Sequence, residues 1–362
     1  MKGVDKVLLI SVAVLLVAGL GMVYSASGVM ALKKYGDSFY FFKKQLLWVA
    51  IGLSAMAVAM RISVPTWNRL ALPLLGVTSL LLVAVLIPGV GAEVNGSRRW
   101  LRAGPLTFQP SELAKFALVL YAAASLARKG PERIADFVYG FFPYTLVLGV
   151  FLSLIVFQPD FGTAVGIAIV MLTLLFIGGA RVLHLSSFSV FLLPVIYKLV
   201  MGAGYRIERL KTFVNPWKDP TASGFQMVQS YLALGGGGLF GAGLGEGKQK
   251  LFFLPEAHTD FIFALIGEEM GFVGALAVLA LFGVVIWRGS LIALRMIDPF
   301  PRLLAAGLTL VIGVQTFVNL GVVVGLLPTK GLPLPFVSFG GSAMLINLIA
   351  VGILLGLSRK PA

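Results

Sequence analysis

The feature that most limits what this chain can fold into is a succession of uncharged apolar runs of bilayer length. The first passes from Val7 to Leu32 without one charged residue. A hydrocarbon core of about 30 Å needs roughly 20 apolar residues per crossing helix. Inside it every backbone polar group must be satisfied within the segment, so such runs fold as helices. Ten runs meet the length rule, at about 7–24, 45–61, 69–88, 111–127, 139–157, 162–180, 182–202, 260–287, 302–327 and 337–358. The expected fold is therefore an all-α polytopic membrane protein. It has ten transmembrane helices and a long extracytoplasmic loop, 203–259, between helices 7 and 8. That loop lies within a single integral membrane domain covering 1–362. The first run is too long for a leader and no small-residue cleavage site follows it, so it reads as a retained anchor.

Charge sets the orientation and removes several function classes. Charged residues are 12% of the chain and hydrophobic ones 58%, against about a quarter charged in a soluble domain. Lys and Arg counted over short loops favour the side of Arg61, Arg69, Arg128, Lys129, Arg133, Arg181, Arg288, Arg295 and Arg302, which places both ends in the cytoplasm. The formal net charge of +14 suits anionic headgroups or an anionic substrate. Nucleic acid is a poor candidate and no nucleic-acid partner is expected, because most of the basic residues flank membrane spans. With no cysteine there is no disulfide, thiolate site or thiol nucleophile, and His184 and His258 alone do not make a histidine metal centre.

On this topology the chemistry-bearing residues gather at one end of the bundle. The stretch Leu254-Pro-Glu-Ala-His-Thr-Asp-Phe261 places Glu256, His258 and Asp260 at the mouth of the eighth span. Asn95-Gly-Ser-Arg-Arg-Trp-Leu-Arg102 supplies Arg98, Arg99 and Arg102. Glu112 and Lys115, spaced i, i+3, share a helix face and are either a snorkelling pair or the lining of a polar cavity. Asp160 in Gln158-Pro-Asp160 reads as turn chemistry. In 203–259, Tyr205 to Val214 has the pattern of an amphipathic helix in the headgroup layer, and a second helical piece spans about 225–234. The glycines after it are either a flexible hinge or, with Lys248 and Lys250, a phosphate cradle. Their G-x-G-x-x-G match lacks the strand-turn-helix setting of a dinucleotide site.

At about 100° per residue, Glu268 lies about 80° from Asp260 and Glu269 about 180°, so the two do not serve one cavity. A buried carboxylate needs a partner, and Lys115 is a candidate. Pro328 to Ser342, which contains Lys330 and Ser338, is too rich in proline and glycine for a helix and reads as a re-entrant wall. Basic groups can hold phosphate while a carboxylate accepts a proton. An outward-opening anion transporter would carry the same residues.

Several of these segments carry a resemblance that covers essentially the whole length. They include Val23-Tyr-Ser-Ala-Ser27, Asn95-Gly-Ser-Arg-Arg-Trp100, Phe108-Gln-Pro-Ser-Glu-Leu-Ala-Lys115, Gln158-Pro-Asp-Phe-Gly-Thr163, Leu254–Phe263, Asn319-Leu-Gly-Val322 and Thr329-Lys-Gly-Leu-Pro-Leu-Pro-Phe336. The chain resembles the SEDS family of peptidoglycan glycosyltransferases (FtsW, RodA and SpoVE), and within it the FtsW/SpoVE branch. Ser338-Phe-Gly-Gly-Ser-Ala343 departs from the family's Ser-Tyr-Gly-Gly-Ser-Ser. The resemblance implies polymerisation of lipid II with release of undecaprenyl pyrophosphate at the extracytoplasmic face of the inner membrane, in septal wall synthesis. It implies Asp260 as catalytic base, with Arg98, Arg99, Glu112, Lys115, Glu256, His258, Lys330 and Ser338 lining the substrate site. It also implies a class B penicillin-binding protein transpeptidase as partner, alongside other divisome or elongasome membrane proteins. A divalent cation (Mg or Mn) is an optional helper on the pyrophosphate, and no protein ligand cluster demands it. The alternative reading is a flippase for lipid-linked precursors.

Overall fold

Each of the ten apolar runs folds as a helix. The computed structural model describes residues 3–94, 96–104, 106–202, 204–250 and 254–359. In chain order the helices are α1 (Lys6–Tyr35), α2 (Tyr40–Ala59), α3 (Val64–Leu86), α4 (Pro110–Ile134), α5 (Phe142–Phe157, entered through a π-turn at Phe137–Phe141) and α6 (Phe161–Ile177). There follow α7 (Val182–Met201), α8 (Gly204–Val214), α9 (Phe225–Gly236), α10 (Ile262–Arg295), α11 (Pro299–Val323) and α12 (Gly341–Ser358). Among the described residues, eight helical segments are long and apolar enough to cross a membrane, by length and composition. The other two expected spans are α4, which carries Glu112 and Lys115 and breaks at Gly130, and α6, which has 17 residues. This is a multi-pass helical membrane protein.

The core lies where α4, α11 and α12 present long buried faces to their neighbours, while α7 has no buried residue. Glycine brings α12 against α2: a Cβ at Gly352 would sit 2.5 Å from Met56 O. Small residues at such crossings let backbones approach without hydrophobic drive. The amphipathic helix and the second helical piece of 203–259 form as α8 and α9. Residue 203 and the stretch 251–253 lie outside the described residues.

The fold is not wholly helical. Gly91–Val94 (β1), Ser97–Ala103 (β2) and Leu106–Phe108 (β3) form an antiparallel sheet in the order β1-β2-β3. Val94 pairs with Ser97, leaving two connecting positions, Asn95 (outside the described residues) and Gly96 at φ +72°. Asn-Gly between extended segments is a strong hairpin signal, and it outweighs the all-helical expectation here.

The glycines of 236–247 are neither a hinge nor a phosphate cradle. Helix α10 breaks at Gly271 (φ 67°, ψ −167°), and the glycine strap repairs the break. Ala242 N and Gly243 N donate to Glu268 O and Glu269 O at 2.9 and 3.1 Å. Phe272 N and Val273 N donate to Gly238 O and Leu239 O at 2.9 and 3.1 Å. At membrane depth a broken helix persists only when protein satisfies its freed groups. A Cβ at Gly271 would lie 2.3 Å from Gly241 N, so the absence of a side chain there serves close backbone approach. Lys250, the proposed phosphate binder, is ion-paired to Glu269 at 2.9 Å.

Candidate active site

Asp260 sits in the turn just before α10, two residues ahead of the helix that was expected to begin with it. Its N–H donates to Glu256 O at 3.2 Å, and Thr259 and Phe261 converge on the same carbonyl. Glu256 holds a left-handed φ of 55° at the head of this turn. From α11, Asn319 Nδ2 donates to Asp260 O at 2.8 Å and to Leu332 O at 2.7 Å. One amide therefore ties the base candidate to the irregular segment 324–340. That segment closes over the carboxyl: a Cβ on Gly331 would stand 2.9 Å from Asp260 Oδ2.

The residue is partly exposed as a whole, but its carboxyl group is desolvated. Loss of solvent, reinforced by the nearby Glu256, pushes its pKa up to about 7, with Asp160 adding to the rise and Arg209 and Arg99 opposing it. Burial disfavours the charged form and like charges add to that. A carboxylate poised near neutrality is suited to accept a proton.

Basic groups arrive from three separate parts of the chain: β2, the irregular segment 324–340 and α8. Arg99 on β2 donates through Nε to Gln158 O at 2.9 Å and through Nη2 to Pro159 O at 2.5 Å, pinning the sheet to the turn that carries Asp160. Asp160 caps α6 through Thr163 N and accepts from Gln109 Nε2 at 3.2 Å. The turn-chemistry reading therefore holds, and its charge also acts on Asp260 and Lys330. The Lys330 side chain lies along Gly162, with Nζ 5.6 Å from the Phe161 ring centre. Arg209 on α8 reaches Thr329 O at 3.4 Å.

The other expected residues divide in two. Glu112 and Lys115 form a buried ion pair at 2.8 Å, while the better-directed hydrogen bond of the ammonium goes to Gln315 Oε1 at 2.9 Å. Lys115 faces a cavity of about 20 Å³, which it shares with Thr163, Gln315 and Leu332, room for a single water. Glu112, not Glu268 or Glu269, is the partner of Lys115. His258 is buried between Phe41 and Phe339, with ring centres 4.7 and 5.7 Å away. Burial holds its pKa below the ordinary value although Glu256 pulls it up. Its carbonyl receives Phe339 N at 2.9 Å, so His258 anchors the irregular segment.

Ser338 Oγ accepts Leu334 N at 2.9 Å and Ser338 O accepts Gln45 Nε2 at 3.0 Å, which closes the turn before α12. The structure does not bring Arg98 to the cluster: it pairs with Glu93 at 3.3 Å on the exposed side of the sheet. Neighbouring strand residues face opposite ways, so of the two arginines only Arg99 turns to Asp160. Sequence reasoning missed Arg209 and Asn319. The amphipathic pattern of 205–214 marked the first as surface, and Asn319 was only part of a matching motif. Among the described residues no group of three or more His, Asp or Glu is arranged to hold a metal ion.

Comparison with known proteins places this architecture. The profile of the FtsW/RodA/SpoVE family, described as cell cycle proteins, matches residues 6–362. The chain belongs to that family. It is 48% identical over 356 residues to the "Probable peptidoglycan glycosyltransferase FtsW" of Geobacter metallireducens, covering 98% of this chain and 95% of that protein. It is 45% identical to the stage V sporulation protein E of Bacillus subtilis, covering 98% and 97%. Among solved structures, a chain from a peptidoglycan synthase complex that coordinates polymerisation and crosslinking superposes with a TM-score of 0.80 at 31% identity, covering 99% and 98%. The rod shape determining protein RodA of Thermus thermophilus superposes with a TM-score of 0.72 at 30% identity, covering 98% and 97%.

Proposed function

We infer that this protein is a peptidoglycan glycosyltransferase that polymerises lipid II in septal wall synthesis. One observation carries the reading: the Asp260 carboxyl, closed over by Gly331 and held by Asn319, stands in the fields of Arg99 and Arg209 with Lys330 next to Gly331 in the chain. In the reaction the 4-hydroxyl of the acceptor GlcNAc attacks C1 of the donor MurNAc. A C–O bond forms, the bond to undecaprenyl pyrophosphate breaks, and the hydroxyl proton passes to Asp260. Such proton transfer contributes typically 10²–10⁴-fold. Arg99 and Lys330, joined by Arg209, hold the pyrophosphate and stabilise its departing charge, and Lys115 with Glu112 keeps the adjoining interior polar. Arg98, Glu256, His258 and Ser338 act at the periphery, in encounter or in holding the loops. A divalent cation (Mg or Mn) would enter with the pyrophosphate rather than in a protein cage.

Ten crossings, a single domain over 1–362 and a site on the extracytoplasmic face complete the proposal. Eight segments long and apolar enough to cross, with α4 and α6 at the other two expected positions, and the basic short loops on the opposite side support it. The partner is a class B penicillin-binding protein, supported by the likeness to a chain of a polymerising and crosslinking complex. The test is gel analysis of glycan chains made from lipid II by the purified protein with that partner. Parent protein makes chains and Asp260→Ala makes none. Undiminished chains from Asp260→Ala, or lipid II translocation across liposomes without polymer, would reject the assignment.

A further inference from the structure

The carboxylates of Glu268 and Glu269 are unused by the chemistry above, yet they are among the most enclosed charges in the molecule. Glu269, with a fully buried side chain, pairs with Lys250 Nζ at 2.9 Å. It also accepts from Ser25 Oγ at 2.7 and 2.8 Å and from Gly245 N at 3.0 Å. Lys250 Nζ in turn donates to Ser25 Oγ at 3.1 Å and to Gly245 O at 2.5 Å. Glu268 accepts Lys248 N at 2.7 Å and Gln249 N at 3.3 Å. There is no room to spare beneath them: a Cβ on Gly247 would lie 2.9 Å from an oxygen of each carboxylate. Two adjacent residues of α10 thus bind the end of the glycine strap to α10 and, through Ser25, to α1.

In the sequence the strap is followed closely by the loop that carries Asp260. Leu254 N donates to Gln249 O at 2.9 Å, so the residue held by Glu268 also holds the start of the Leu254–Phe261 turn. We propose that the Glu269–Lys250–Ser25 cluster is a positioning device for catalysis: it fixes the strap and thereby sets where Asp260 stands relative to the acceptor hydroxyl. Neither Glu269 nor Lys250 touches the reacting atoms. The proposal rests on Asp260 being the base. A buried ion pair suits the task, since removing one partner leaves an uncompensated buried charge and strongly weakens the hold on the strap. Misplacing a reacting group by 1 Å costs about 10²-fold in rate.

The experiment uses the full-length protein with its transpeptidase partner, and lipid II as substrate. Glu269→Gln keeps the shape and the acceptor for Ser25 while removing the charge opposite Lys250. Ser25→Ala removes one donor and leaves the ion pair, which makes it the milder variant should Glu269→Gln fold poorly. The chain has no cysteine, so a single Glu246→Cys carries a nitroxide that reports strap motion by its spectral width. Glu269→Gln is expected to lower kcat at least about tenfold, leave KM for lipid II within about threefold, and sharpen the nitroxide lines. Ser25→Ala should move kcat and the lines in the same direction by less.

An unchanged kcat in both variants, with Asp260→Asn inactive, overturns the positioning role while leaving the base intact. A loss confined to KM overturns it too. Full activity of Asp260→Asn would instead refute the base assignment on which the role depends.

Discussion

Asn319→Leu removes a side chain that holds both Asp260 and the segment closing over it, at nearly constant volume. Asn319 is 2% exposed, and its Nδ2 serves Asp260 O at 2.8 Å and Leu332 O at 2.7 Å, while Oδ1 has no hydrogen-bond partner. Orphaning each carbonyl costs about 1–3 kcal/mol, and deleting the unpartnered Oδ1 returns about as much as one of them. The net loss is then about 1–3 kcal/mol, too small to unfold the bundle. It is large enough to free the Asp260 backbone, and a shift near 1 Å lowers the rate by about 10²-fold. Thermal unfolding in detergent reads the first quantity and steady-state polymerisation of lipid II the second. Asn319→Asp, which also lacks the donors and adds a buried charge, should be worse on both. Parent-like stability and rate in Asn319→Leu would refute the reasoning, because the two hydrogen bonds would then carry nothing.

Further outcomes follow from the same geometry. With the Asp260 carboxyl raised from 3.8 to about 7, the base is lost as pH falls, so kcat/KM should drop about tenfold per unit below pH 7 and level off above it. Glu256→Gln removes a like charge and should move that midpoint to lower pH in a pH–rate profile. By the same linkage the folded chain holds this proton more tightly than the unfolded one, so the group's cost to stability grows between about pH 4 and pH 7 and is complete above it. Lys115→Met leaves Glu112 buried without its cation and should destabilise by about 3–5 kcal/mol. Adding Glu112→Gln to Lys115→Met should recover most of that loss in the same unfolding assay. Gly271→Ala places a Cβ 2.3 Å from Gly241 N at φ +67° and should yield little folded protein on size-exclusion chromatography.

The bilayer made the helices legible, since its thickness imposes a length that apolar runs either meet or miss. The same length rule says nothing of the short sheet at 91–108, although Asn95-Gly96 marks its hairpin. At the site, Asp260 stood out because an acidic residue at the start of an apolar helix is expensive, and resemblance singled it out from Glu256 and His258. Arg209, Asp160 and Asn319 were not legible as its neighbours. They come from α8, the turn before α6 and α11, and only tertiary packing brings such distant segments together. Arg98 and Arg99 look equivalent as letters, and the alternation of a strand separates them. The glycine strap was misread because glycine permits both looseness and close approach, and composition does not say which of the two the neighbours demand.

The break in α10 has a mechanical consequence. As one straight rod its 34 residues would run about 51 Å at 1.5 Å each, well beyond a hydrocarbon core of about 30 Å. Gly271 divides that length. The segment 272–295 alone runs about 36 Å and matches the core with modest tilt. The short rod 262–270 keeps its register with the strap instead of with the lipid. A change in bilayer thickness would then be taken up as tilt in the longer rod, and the end that bears Asp260 would be insulated from the membrane's own fluctuations.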